Sequence, residues 1–256
     1  MTNSRHWADH TSEQLARLDR ARVVAGLPIG AVEQHGPHLP LCTDFTLATA
    51  IVDAAIALLG DDLPVLVLPP LAYGKSNEHA AFPGTLTLST TTLLALWSDI
   101  GASVARAGVR KLVLFNAHGG HTGAMELVAR DLRERHAMLV VTATWLELGL
   151  PTGLFDDDEV ELGIHGGDVE TSAMLALAPQ HVRSDRAKRF EHLGERMARG
   201  QRRLGVSGVA IGFDFHFGQG RGGSPAFLTE AGKRYGFPVD VAPKLEDEGR
   251  PVSSGT

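Results

Sequence analysis

Four residues in this chain have the types and spacing for divalent-metal chemistry: Glu33, His35, Asp44 and His118. One residue separates Glu33 from His35, and in an extended segment side chains at i and i+2 point the same way. A carboxylate and an imidazole placed like this can meet one ion or two adjacent ones. Asp44 follows nine residues after His35, beyond a proline-rich loop that can fold back. Its two carboxylate oxygens can bridge a pair of ions, which in two-metal hydrolytic sites stand ~3.5–4 Å apart. His118 comes from a distant part of the chain and precedes Gly119-Gly120; glycines let a ligand approach the backbone closely. Carboxylate and imidazole without thiolate suit Zn, Mn or Fe(II). The plainer alternative is that Glu-x-His is a solvated loop pair, and spacing alone does not separate the two.

Elements must position these residues. Residues 22–29 are rich in Val, Leu and Ile and read as a strand ending at Gly30, so Glu33 and His35 stand in the loop after it. Residues 111–115 form a second apolar, β-branched strand that runs straight into Asn116-Ala117-His118-Gly119-Gly120-His121. Residues 64–68 and 138–144 read as further strands. Helical patterns cover 11–19, 45–59, 90–107 and 123–136, the first with Thr11 and Gln14 at capping-box spacing. Another helix with its N-terminal approach occupies 165–176, and 72–89 is loop-like. Strands alternating with helices of ~10–15 residues imply an α/β fold, a mostly parallel sheet with helices on both faces. Ligands bind such sheets beyond the carboxyl ends of the strands, so the Glu33/His35 loop and the His118 loop are expected to converge. Residues 183–203 read as a charged, solvated or subunit-facing helix. A single domain is expected over 1–240, with 241–256 as a frayed polar tail.

The run Pro28-Ile29-Gly30-Ala31-Val32-Glu33-Gln34-His35-Gly36-Pro37-His38-Leu39-Pro40, followed by Asp44, resembles the signature of the creatininase (creatinine amidohydrolase) family. Three further segments match in order: Phe82-Pro83-Gly84-Thr85 with His79 just before it, Asn116-Ala117-His118-Gly119-Gly120, and His165-Gly166-Gly167-Asp168-Val169-Glu170-Thr171-Ser172. The resemblance implies a creatininase-like α/β fold with a two-metal centre, often in a homohexamer. Glu33 and His118 would bind one ion, His35 the other, and Asp44 would bridge them. The family's named member has a glutamate as a further ligand where this chain has Gly120. Glu170 is the candidate to complete the second ion's shell; its alternative is a helix first-turn acid stabilised by the helix dipole. His165 falls where the family has a histidine beside the substrate, a proton carrier, or else it is a helix-entry histidine that binds only backbone. His79 would orient substrate. Gly119 replaces a tyrosine of the substrate pocket, and Glu161 falls where a tryptophan is expected. Trp145 would preserve one aromatic wall or pack in the core, and His121 would contact substrate or sit on the helix entry. Substrate contacts are therefore expected from Gly119, Gly120, His121 and Trp145, with creatinine itself disfavoured. The activity implied is a metal-dependent amidohydrolase that cleaves a non-peptide C–N bond (amide, formamide or cyclic amide) of a small molecule with a hydroxide held by two divalent ions. The alternatives are a peptide-trimming hydrolase of the same family and a metal-binding oligomer subunit without catalysis.

Composition narrows the rest. The chain has 256 residues, enough to bury a core without disulfides or a structural metal. Its net charge of −6 argues against a general affinity for nucleic acid. Cys42 is the single cysteine, which excludes an intramolecular disulfide and fits a reducing cytoplasm. The N-terminus has no apolar signal region, and the apolar run at 65–68 is too short to span a bilayer. Gly218-Gln219-Gly220-Arg221-Gly222-Gly223 is not a phosphate-binding P-loop, although Arg221 could receive an anionic group. Gly-x-Ser-x-Gly and His-Glu-x-x-His are absent, against a serine hydrolase and a zincin peptidase. His38 reads as a loop residue rather than a ligand.

Overall fold

The computed structural model describes residues 4–189 apart from 157–158, 161–162 and 164, and beyond them only 209–212, 224–226, 229–230, 233, 239–242, 246–247 and 250–251. The chain divides into two compact units, Met1–Phe190 and Glu191–Thr256. In the first, helix α1 (Ser12–Arg17) leads to β1 (Val24–Ile29), α2 (Thr43–Ile56), β2 (Val65–Val67), α3 (Thr90–Arg106), β3 (Lys111–Asn116), α4 (Thr122–His136), β4 (Leu139–Thr144) and α5 (Asp168–Leu177). The first helix closes with the expected box: Gln14 N–H donates to Thr11 Oγ1, and Thr11 N–H donates to Gln14 Oε1.

The four strands form one parallel sheet in the order β2-β1-β3-β4. This order reverses direction between β1 and β3, and that crevice is where open α/β sheets bind ligands. Val24 pairs with Lys111 and Ile29 with Asn116, so β1 and β3 end together. Alternation along the strands sends Ala25, Leu27, Ile29, Leu112, Leu114 and Val140 into one core with Leu93, Trp97 and Val104 of α3 and Met125, Val128 and Leu132 of α4. The helical residues recur at spacings of three and four, which keeps each set on one face. A second core joins Leu47 and Ala48 of α2, Met174 of α5, and Leu39 and Ala117 from the two site loops. That core fixes both loops to α2 and α5.

In the second unit the described residues give two short ladders. β5 (Val209–Gly212) runs parallel to β6 (Val239–Ala242), and β7 (Glu246–Asp247) is antiparallel to β8 (Arg250–Pro251). Of the tail expected over 241–256, the described residues are 241–242, 246–247 and 250–251, which lie in these ladders. Of the helix expected over 183–203, the described part holds a single 3-10 turn, Ser184–Arg186; the remainder lies outside the described residues, as do Glu161 and the 218–223 loop. No helix among the described residues is long and apolar enough to cross a membrane.

Candidate metal centre

The two motif loops leave the sheet at the β1/β3 crevice and meet there. Gly30 makes the first part of this possible: a Cβ on it would stand 2.5 Å from both the Cα and the N of Phe45. Without one, the first turn of α2 lies against the end of β1 and brings in Asp44. The carboxylate sits in the first turn of a 14-residue helix, where the helix dipole favours negative charge. Asn116 at the end of β3 sets the second loop. Its Oδ1 accepts from His118 N at 3.0 Å and from His121 Nδ1 at 3.0 Å, and its Nδ2 donates to the His118 carbonyl.

Glu33, His35, Asp44 and His118 are all buried, with exposures of 0%, 0%, 1% and 4%. Asp44 faces both histidines with different oxygens. His35 Nε2 is 3.0 Å from Oδ1, and His118 Nδ1 is 3.1 Å from Oδ2. His118 Nδ1 also lies 3.2 Å from Glu33 Oε1, while His35 Nε2 lies 3.9 Å from Glu170 Oε2. The far nitrogen of each ring is committed to the backbone: His35 Nδ1–H donates to the Glu33 carbonyl at 3.1 Å, and His118 Nε2–H to the Lys75 carbonyl at 2.8 Å. In neutral imidazole the near nitrogen then carries a lone pair aimed at carboxylate oxygens. Such a contact needs a proton or a cation between the partners.

The electrostatics describe the same need. Burial disfavours a charged His118, but its contacts with Asp44 and Glu33 outweigh burial and push it up to about 11. His35 behaves likewise, pushed up to about 9 by Asp44 and Glu170 against burial. Burial also works against the Asp44 carboxylate, yet the two histidines hold it below the usual carboxylate range. Even so, Glu33 Oε1, Glu33 Oε2 and Asp44 Oδ2 are buried without a hydrogen bond of good geometry. Oxygen and imidazole donors, backed by carbonyls and short of partners, are the donor set of a divalent-cation site. Ligating atoms of Glu33, His35 and Asp44 lie within 4.8 Å of one another, as do those of His35, His165 and Glu170.

The other expected residues divide into two groups. His165 and His79 reach the site: their rings stack at 4.1 Å, and His165 lies 4.2 Å from the His35 ring. His165 Nδ1 is 3.5 Å and His79 Nε2 is 3.8 Å from Glu33 Oε1. Burial, with the His35 and His79 rings beside it, lowers His165 to about 4, so it is neutral at pH 7. Glu170 is pushed up to about 7 by burial, and its Oε2 also accepts the Gly166 N–H, so it combines helix-entry and site positions. Gly119 faces open space, with nothing within 4 Å of where a Cβ would lie.

His121 and Trp145 stand elsewhere, against their expected substrate contacts. His121 is fully buried behind His118, its Nδ1 on Asn116 and its Nε2 accepting from Lys75 N at 3.0 Å, so neither nitrogen is left for a substrate. Trp145 packs against the second core with Leu39, Leu47 and Met174. Three neighbours were not singled out from sequence: Gln34, Asn116 and Glu78. Gln34 Oε1 accepts from Gly36 N, which turns its Nε2 toward His79 Nδ1 at 2.9 Å and His165 Nε2 at 3.1 Å. Its place between Glu33 and His35 was the available signal. His38, buried, contacts Thr171 Oγ1 at 2.8 Å and ties the first motif to α5.

Comparison with known proteins accords with this gathering of motifs. A family model described as creatinine amidohydrolase matches residues 8–234. The chain is 38% identical over 182 residues to a mycofactocin precursor peptide peptidase from Mycobacterium tuberculosis, covering 69% of this chain and 66% of that protein, just under two thirds of its length. It is 36% identical over 191 residues to a creatinine amidohydrolase from Pseudomonas putida, covering 65% of this chain and 70% of that protein. A solved creatininase structure with Mn superposes with a TM-score of 0.59 at 33% identity, over 73% of this chain and 78% of that one. With most of its length matched by one family model and the same motifs lining a single sheet crevice, the chain belongs to the creatininase family.

Proposed function

We propose that this chain is a metal-dependent hydrolase acting on an amide-type C–N bond. The observation that carries the reading is Asp44, whose two oxygens face two imidazoles, each with its far nitrogen spent on a backbone carbonyl. Glu33, Asp44 and His118 would hold one divalent ion, and His35, Asp44 and Glu170 a second. Bound there, divalent ions supply Lewis acidity and bring the pKa of water toward neutrality. The chain's own residues do the rest. His165, neutral and stacked on His79, accepts a proton from the attacking water and returns it to the leaving nitrogen, which departs poorly without one. Gln34 holds the rings of His79 and His165 for that transfer.

Two substrate classes fit this chemistry, non-peptide amides and a peptide end. The second is favoured by Gly119, which leaves open space where the resemblance places a tyrosine of the substrate pocket. An extended substrate fits an open cleft better than a small ring does. The test is hydrolysis of a panel of creatinine, formamides and short peptides by chelator-treated and metal-reloaded protein. Turnover restored by metal supports the reading. Turnover that survives complete metal removal, or persists unchanged in Asp44→Ala, would refute it.

A further inference from the structure

The space beside Gly120 is filled from a different loop. A Cβ at Gly120 would stand 2.5 Å from His118 Nε2, 2.7 Å from the Lys75 carbonyl oxygen and 2.8 Å from Glu78 Oε1. No side chain fits there, because Lys75 and Glu78 already occupy the position. Glu78 belongs to the short turn Asn77–His79, and its Oε1 lies 3.6 Å from His118 Nε2. That nitrogen is the outward one, opposite the Nδ1 that faces Glu33 and Asp44. At 3.6 Å the contact is too long for a hydrogen bond. It sets a negative charge beside the ring on the side away from the ligand position, and a carboxylate there raises the basicity of a ligating histidine.

The turn that carries Glu78 is tied down. Lys75 N–H donates to His121 Nε2 at 3.0 Å and Ser76 N–H to Thr87 Oγ1 at 3.0 Å. Thr87 in turn donates to Asn77 Oδ1 at 2.9 Å, and Leu88 N–H donates to the Gly74 carbonyl at 2.8 Å. Ligating atoms of Glu33, Glu78 and His118 lie within 4.8 Å of one another. The bland alternative is a solvated acid on an exposed turn, since Glu78 keeps 47% of its side-chain surface in solvent.

We propose that Glu78 is a positioning carboxylate for His118, reaching from the 77–79 turn into the space Gly120 leaves, and that it strengthens binding of the ion held by Glu33, Asp44 and His118. The proposal rests on the metal-dependent reading above and deepens it.

The experiment uses the full chain, stripped and titrated with Zn²⁺ against a competing chelator, comparing the parent with Glu78→Gln and Glu78→Ala. Removal of a partner hydrogen-bonded to a ligating histidine typically weakens metal affinity 10–100-fold, and Glu78 acts on His118 through its charge alone. With half of its surface in water, Glu78 belongs at the lower end, about tenfold. One of the two ions should weaken by that factor in both variants and the other should keep its parental affinity. The gap should narrow in about 1 M salt, where the Debye length is ~3 Å. Metal-free melting temperatures should match the parent, as expected for an exposed side chain. Parental affinity for both ions in Glu78→Gln and Glu78→Ala overturns the proposal and leaves the hydrolase reading standing. Equal weakening of both ions with a lower metal-free melting temperature also overturns it, because that marks a general loss of structure. A parent chain that binds no ion overturns both.

Discussion

At the scale of single residues, the site is a problem of unshared electrons. Buried oxygens of Glu33 and Asp44 face the near nitrogens of His35 and His118, and in metal-free protein only protons can sit between them. Contacts with Asp44 push His35 up to about 9 and His118 up to about 11 despite their burial. Both rings are therefore protonated at pH 7 without metal, and an incoming divalent ion must displace those protons. We expect Zn²⁺ titration at pH 7 to release protons, read as a calorimetric heat that scales with the ionisation enthalpy of the buffer. Binding heat independent of the buffer would count against the assignment. Asp44→Ala removes the shared carboxylate and is expected to abolish binding of both ions, measurable as metal content after dialysis. The residues that gather at the crevice were legible in the sequence, because Glu-x-His and His-Gly-Gly are local patterns. Glu78 and Gln34 were not, because their roles depend on which backbone groups a distant loop presents. For His121 and Trp145 the sequence left two readings each, because a histidine at a helix entry and an aromatic after a strand look alike whether they face a cleft or a core.

At the scale of elements, the crevice depends on how closely α2 meets the end of β1. Gly30→Ala would place a methyl 2.5 Å from the Phe45 backbone, nearer than Cβ atoms come in real structures. The first turn of α2 must then shift, and Asp44 moves with it. Overpacking of this kind costs about 1–3 kcal/mol. We expect Gly30→Ala to lower the unfolding free energy from denaturant titration by that order and to weaken metal binding as well, whereas a substitution remote from the crevice would lower stability alone. The sheet was readable from its alternation of apolar strands with helical patterns, and β1, β3 and α4 lie within two residues of the expected bounds. The order β2-β1-β3-β4 was not readable, since pairing partners leave no mark in a single sequence. Only the general rule that ligands sit beyond the carboxyl ends of parallel strands anticipated where the loops would meet.

At the scale of the whole molecule, the trapped protons and the proposed ions both enter stability. For His35 and His118 the folded pKa is raised above the ordinary histidine value of 6.5. Their contribution is thus fully present below pH 6.5 and is lost as pH rises through about 9 and then about 11. Metal-free protein should therefore lose melting temperature steadily from near-neutral to alkaline pH. Protein loaded with Zn²⁺ should resist that loss, because an ion at 100 times its Kd adds about 2.7 kcal/mol. Identical alkaline melting curves with and without metal would contradict this. The most direct test of the proposed two-ion centre is an anomalous difference map from crystals grown with Zn²⁺. Two peaks per chain are expected, one among Glu33, Asp44 and His118 and the other among His35, Asp44 and Glu170. A map with no peak at these side chains, in crystals containing the ion, would contradict the proposed centre and the metal-dependent hydrolysis built on it.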